Sequence, residues 1–276
     1  MRPARTPGQR VLAAVVLASA LLAGCDRPAG APDPRGGPAE RTAHSAKNPT
    51  HQAQPFRRWG LTAPLPAPPP PPARRAPRPA AGGLPVVHHV PTRERVVFLT
   101  YDDGAEKDPR FVDMVRELRL PVSMFLTDSV VGPGYGHFAR LRSVGASIQN
   151  HTLDHAALRG LPYAGQRAEI CGQQNKLRAR FGIRPRFFRP PYGTYDTTTL
   201  RAAADCGVTA VVLWRAAMEG DGELTYAHGP GRLRAGDIVS VPSSEPTGLS
   251  LRERTTRLLR ETQRQGLTVA RLEDYL

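Results

Sequence analysis

Beyond residue 86 the apolar positions alternate between two periods. Val96–Tyr101 is a near-continuous apolar run of β type, and Val122–Leu126, Ser147–Asn150, Phe187–Phe188, Val208–Leu213, Ile238–Val241 and Leu267–Ala270 read as further strands. Between them lie helical spacings. Pro109–Arg119 puts Phe111, Met114, Val115 and Leu118 on one face. Gly136–Val144, Ala164–Phe181, Thr197–Cys206 and Leu251–Gln265 follow, three of them closed by Gly182, Gly207 and Gly266. Strands alternating with helices predict an α/β domain over residues 86–276, built on a parallel sheet that is open or closed into a barrel. In both architectures chemistry sits at the carboxyl ends of the strands.

The first 85 residues have a different pattern. Arg2, Arg5 and Arg10 precede an apolar run, Val11–Gly24, that is too short to span a bilayer. The run ends Leu22-Ala23-Gly24-Cys25, which resembles the bacterial lipoprotein signal. Residues 1–24 are therefore expected to be a signal peptide. Cys25 would become the lipidated N-terminus of an extracytoplasmic protein anchored to the membrane, its diacyl group supplying two chains; the alternative is an ordinary cleaved signal. Residues 25–85, with prolines unbroken from Pro68 to Pro72, hold too few apolar side chains for a core and read as a disordered linker.

Charge changes this picture little. The chain carries a formal +14, of which +10 falls at or before Arg95 and +4 beyond it. The domain shows no basic block interleaved with aromatics, so a nucleic-acid partner is not expected. Cys171 and Cys206 lie on neighbouring predicted helices of an exported domain. They predict a disulfide, two buried thiols being the alternative.

Three stretches at strand ends carry chemistry. Thr100-Tyr101-Asp102-Asp103-Gly104 closes the first strand. Like charges this close resist joint ionisation without a cation or donor, and neighbours on a strand point to opposite sides. One carboxylate can thus bind a metal while the other moves a proton. Asn150-His151-Thr152-Leu153-Asp154-His155 follows the third strand. Its histidines, at i and i+4, would join Asp103 in a two-histidine, one-carboxylate set. Arg189-Pro190-Pro191-Tyr192-Gly193 supplies an arginine able to pair with the free aspartate, on a loop stiff enough to aim a backbone N–H at an oxyanion.

In this order the three stretches resemble the polysaccharide deacetylases of carbohydrate esterase family 4, from about Val96 to the C-terminus. The resemblance implies a distorted (β/α) barrel and a divalent metal, commonly zinc, on Asp103, His151 and His155. It implies Asp102 as general base, oriented by Arg189, and Tyr192 as the residue whose N–H meets the oxyanion, with Pro191 and Trp214 lining the substrate site. The substrate would be peptidoglycan or another N-acetylhexosamine polymer. Toward the C-terminus the chain departs from the family. Ala217 and Gly220 stand where carboxylates are expected near Trp214, and Ser240 and Pro242 replace the leucine and the general-acid histidine of the last motif. His228 and Asp221 are possible substitutes. Two other readings compete: a wall-binding pseudoenzyme, because the acid is missing, and a non-haem iron oxygenase, because the ligand set is the same.

Overall fold

The computed structural model describes residues 54–73, 83–243 and 248–276, all within a compact unit spanning His51–Leu276. The expected leader, Cys25 and much of the expected linker lie outside the described residues.

Helices and strands alternate as the pattern requires. In chain order they are α1 (Pro55–Arg58), β1 (Val86–Val87), β2 (Val96–Asp103), α2 (Pro109–Leu118), β3 (Val122–Leu126), α3 (Asp128–Val131), α4 (Tyr135–Ser143), β4 (Ser147–Asn150) and α5 (Tyr163–Phe181). Then come β5 (Phe187–Phe188), α6 (Thr197–Asp205), β6 (Ala210–Val212), β7 (Ala216–Met218), β8 (Leu224–Tyr226), β9 (Asp237–Val241), α7 (Leu251–Arg264) and β10 (Thr268–Val269). The strands form one sheet in the order β1-β6-β5-β4-β3-β2-β9-β7-β8, with β10 also on β2. Every pairing between named strands is parallel except the β7–β8 hairpin. This is the curled sheet of a distorted (β/α) barrel.

Burial on both faces explains why the strands read as continuous apolar runs. In β2, Val96 and Phe98 join Phe125, Phe187, Val212 and Ile238 in one cluster inside the curl. The alternate residues Val97, Leu99 and Tyr101 pack outward with Phe111, Met114, Val115 and Leu258 of the covering helices. A third cluster, around Ile170, Phe188 and Ala203, seats α5 and α6. There Cys171 and Cys206 are joined as a disulfide, with Cα atoms 5.1 Å apart.

The linker expectation is corrected at its centre. Residues 54–73 lie against the domain: Trp59 and Leu61 are buried in the outer core cluster. The Trp59 indole N–H donates to Glu117 at 2.8 Å, and Arg58 pairs with the same carboxylate. Proline-rich backbone is poor in N–H groups, so this strap binds through its carbonyls. Gly60 accepts from Arg260, Ala63 from Gln263 and Pro66 from Thr268. Two isolated apolar residues have no period, which is why pattern alone reads the strap as spacer. The three-residue strands β7 and β8 escape pattern for the same reason.

Candidate active site

The parallel register brings the carboxyl ends of β2, β3, β4 and β5 together, Asp103 opposite Leu126, and Asn150 opposite both Leu126 and Phe188. The three motifs thereby meet. Strand β2 runs two residues further than its pattern predicts and carries both aspartates at its end.

The backbone at this rim is strained. Among the described residues, five other than glycine have positive φ, and four of them are Asp103 (65°), Thr152 (75°), His155 (58°) and Tyr192 (60°). The fifth, Arg119, ends α2. Such conformations cost about 1–3 kcal/mol each and are rarest for a β-branched residue such as Thr152. Local hydrogen bonds hold them. Asn150 accepts the Thr152 N–H through its side chain at 2.9 Å while donating to Ile170 O. Thr127 caps the His151 carbonyl at 2.8 Å, and Thr152 Oγ1 accepts the His155 N–H. Gly104, at φ 85°, follows Asp103; a Cβ there would lie within 3.0 Å of Phe138, Leu126 and Val131, so only glycine fits the turn.

Asp103 Oδ1 lies 3.3 Å from His151 Nε2 and 3.2 Å from His155 Nε2. Neither contact has hydrogen-bond geometry, and among the described residues the buried oxygen has no donor. The three ligand atoms lie within 4.8 Å of one another. Separations of 3.2–3.3 Å match the edge of a tetrahedron with metal–ligand bonds of about 2.0 Å. An orphaned carboxylate oxygen facing two imidazole nitrogens therefore fits a divalent cation. His151 Nδ1 lies 2.7 Å from the Arg189 carbonyl. A carbonyl only accepts, so Nδ1 carries the proton and Nε2 keeps its lone pair toward Asp103. Burial raises the Asp103 carboxyl, but the two imidazoles outweigh it and hold the group below the usual carboxylate range. The same contact raises His155.

Asp102 has separate partners. Its Oδ1 accepts from Arg189 at 2.6 Å, and its Oδ2 from Ser240 Oγ at 2.6 Å. Arg189 is fully buried and fixed on every side: Nε donates to Val212 O, another N–H to Leu213 O, and its guanidinium carbon lies 4.3 Å from the Phe125 ring centre and 5.2 Å from that of Trp214. Across the rim, Pro191 is buried and Tyr192 is 66% exposed, its ring edge-on to His155 at 4.9 Å. Turn bonds run from Gly193 to Pro190 and from Thr194 to Pro191, and do not involve the Tyr192 N–H. Gly193, at φ 67°, leaves room for the Trp214 ring, 3.1 Å from where a Cβ would stand.

The β7–β9 side differs. Ala217 pairs in register with Ser240, so no carboxylate stands there. The Pro242 carbonyl is held by buried Arg254, which also binds Glu106. His228 is far from a catalytic position. It follows β8, which runs antiparallel back to the start of β7, and its carbonyl accepts from Arg215. Its ring lies edge-on to His88 at 6.1 Å, beside the amino end of β9. Asp221 caps its own turn by accepting the Glu223 N–H. The partner that pattern missed is Ser240; a hydroxyl in a buried strand at a motif position was its only signal.

Known proteins resemble the domain in sequence and in fold. Residues 89–211 match the family model described as polysaccharide deacetylase. An uncharacterised protein of Streptomyces coelicolor is 57% identical over 255 residues, covering 92% of this chain and 90% of its own. A chitin deacetylase of Amylomyces rouxii is 36% identical over 118 residues, 41% of this chain but only 27% of that protein. Among solved structures, the Bc1960 peptidoglycan N-acetylglucosamine deacetylase superposes with a TM-score of 0.60 at 21% identity, over 70% of this chain and 93% of that one. That likeness is one of fold. The chain thus carries a polysaccharide deacetylase family domain over residues 89–211.

Proposed function

We propose that this protein hydrolyses acetyl groups from an acetylated wall or extracellular polysaccharide, with Asp102 as proton acceptor beside a metal held by Asp103, His151 and His155. The observation that carries this reading is the division of labour at one strand end. Asp103 faces two imidazoles, while Asp102, one residue earlier, is held by Arg189. A divalent cation there, zinc by its ligand set, would acidify water and polarise the acetyl carbonyl. Arg189 pairs with Asp102 and orients it, and the fixed loop after β5 offers the Tyr192 N–H to the developing oxyanion. The proposed N-acetylhexosamine substrate is supported by the names of the chitin and peptidoglycan deacetylases. A lipid anchor on Cys25 would hold the domain at the membrane, reaching into the wall.

The leaving group is less well served. Breaking an amide expels an amine that must be protonated as it departs, whereas an activated ester expels an oxyanion that leaves unaided. Pro242 and Ala217 offer neither a general acid nor a carboxylate to tune one. General-acid help is worth about 10² to 10⁴ in rate. The same feature supports a second reading, a wall-binding pseudoenzyme.

The test is acetate release from peptidoglycan, from N-acetylglucosamine oligomers and from 4-nitrophenyl acetate, with and without zinc. Zinc-dependent ester hydrolysis with weak N-deacetylation is expected. Absence of turnover on all three substrates would favour the pseudoenzyme.

A further inference from the structure

We propose that Ser240 is a positioning residue that fixes the carboxylate plane of Asp102. The inference rests on the reading of Asp102 as the proton acceptor. Arg189 reaches Asp102 through one nitrogen and one oxygen, while its other two nitrogens donate to Val212 O and Leu213 O. A single contact fixes one oxygen and leaves the carboxylate free to turn about it. Among the described residues the second oxygen is held by Ser240 Oγ alone, at 2.6 Å.

The register makes this contact specific. Ser240 pairs with Thr100, two residues before Asp102, so all three share the face inside the curl. Thr100 is as close in the sheet but cannot substitute, since its hydroxyl donates to Val239 O at 2.8 Å. Ser240 is 1% exposed and the Asp102 side chain 8%, so water has little room to replace the hydroxyl. The serine oxygen also lies 3.5 Å from the Arg189 nitrogen that binds Asp102, which closes a three-membered cluster of Asp102, Arg189 and Ser240. An ionised carboxylate accepts at about four lone-pair positions. Two are used, one on each oxygen, and the remaining pair is presented in a fixed plane to receive a proton from water. The family resemblance places leucine at this position. Leucine has no donor, so the clamp is a feature of this chain.

The test uses the full-length protein and three variants, Ser240→Ala, Ser240→Thr and Asp102→Asn, assayed on 4-nitrophenyl acetate with zinc. Ser240→Ala should lower kcat by roughly 10- to 100-fold, the scale of a small misplacement of a reacting group, with KM within about two-fold. Zinc content and Tm should stay near the unaltered values. Ser240→Thr retains the hydroxyl and should recover most of kcat. A purely structural serine would instead lower Tm and leave the turnover of folded enzyme intact. Crystal structures of the parent and of Ser240→Ala give a readout that does not depend on turnover: the Asp102 carboxylate should rotate away from its present plane in the variant. Unchanged kcat in Ser240→Ala while Asp102→Asn abolishes turnover overturns this inference alone, as does an unmoved carboxylate. Full activity in Asp102→Asn removes the reading beneath it as well.

Discussion

Two buried arginine–aspartate pairs stand at opposite ends of the sheet, and they differ in what is left over. At the amino end, Asp237 is sealed: Arg215 binds both its oxygens, the Arg234 N–H donates to it at 2.8 Å, and both side chains of the pair are 0% exposed. Arg215 also binds the carbonyls of His228, Pro230 and Arg232, tying down the loop before β9. His89 adds a 4.0 Å contact. At the carboxyl end, Asp102 has one partner on each oxygen among the described residues and a slightly exposed side chain, next to the strained rim. The same ion pair thus locks a loop in one place and can present a base in the other. What separates them is saturation of the carboxylate, not its pairing.

Exchanging charge at each pair tests that contrast, and the largest effect is expected at the open one. Asp102→Asn keeps an acceptor for Arg189 but removes its counter-charge, so it should cost stability and also reduce turnover by about 10² to 10⁴, with the folded fraction keeping its metal. Asp237→Ala should act on stability alone. It leaves Arg215 buried without a counter-charge, so urea unfolding should show a loss of about 3–5 kcal/mol, while the folded fraction keeps its metal and its turnover. Lost turnover in folded Asp237→Ala, or full turnover in Asp102→Asn, would erase the distinction.

Metal loss comes next. His155→Ala should lower zinc stoichiometry by equilibrium dialysis and abolish the stabilisation that added zinc gives the parent, about 2.7 kcal/mol when free zinc is 100 times Kd. An unchanged stoichiometry would reject the ligand assignment.

The smallest effect belongs to a partly exposed carboxylate away from the site. Asp196 caps α6, accepting the N–H groups of Thr199 and Gly160, and these hold its pKa down at about 2. Asp196→Ala should cost about 1 kcal/mol near neutrality, the usual worth of such a cap. A depressed carboxylate stabilises above its unfolded pKa and stops doing so as pH falls through the folded one. The gap in Tm between parent and variant should therefore be constant above about pH 4 and close toward pH 2.

The elements with long periods were legible in the chain itself. Helices α2, α5, α6 and α7 and strands β2, β3, β4 and β9 lie within two residues of their predicted ends, because amphipathic spacing and glycine stops are local properties. The three motifs at strand ends were equally legible, since the parallel sheet places every such end on one rim. Only the tertiary structure decided the rest. The register of β9 on β2 brought Ser240 to Asp102 across 138 residues, a distance no local pattern reports. The antiparallel return of β8 carried His228 to the wrong end of the sheet. Trp59 and Leu61 turned a proline-rich stretch into a docked strap, because their burial depends on a socket formed by residues far along the chain. Sequence determines what each segment can bury or donate; which partner receives it depends on contacts that exist only once the sheet has closed around them.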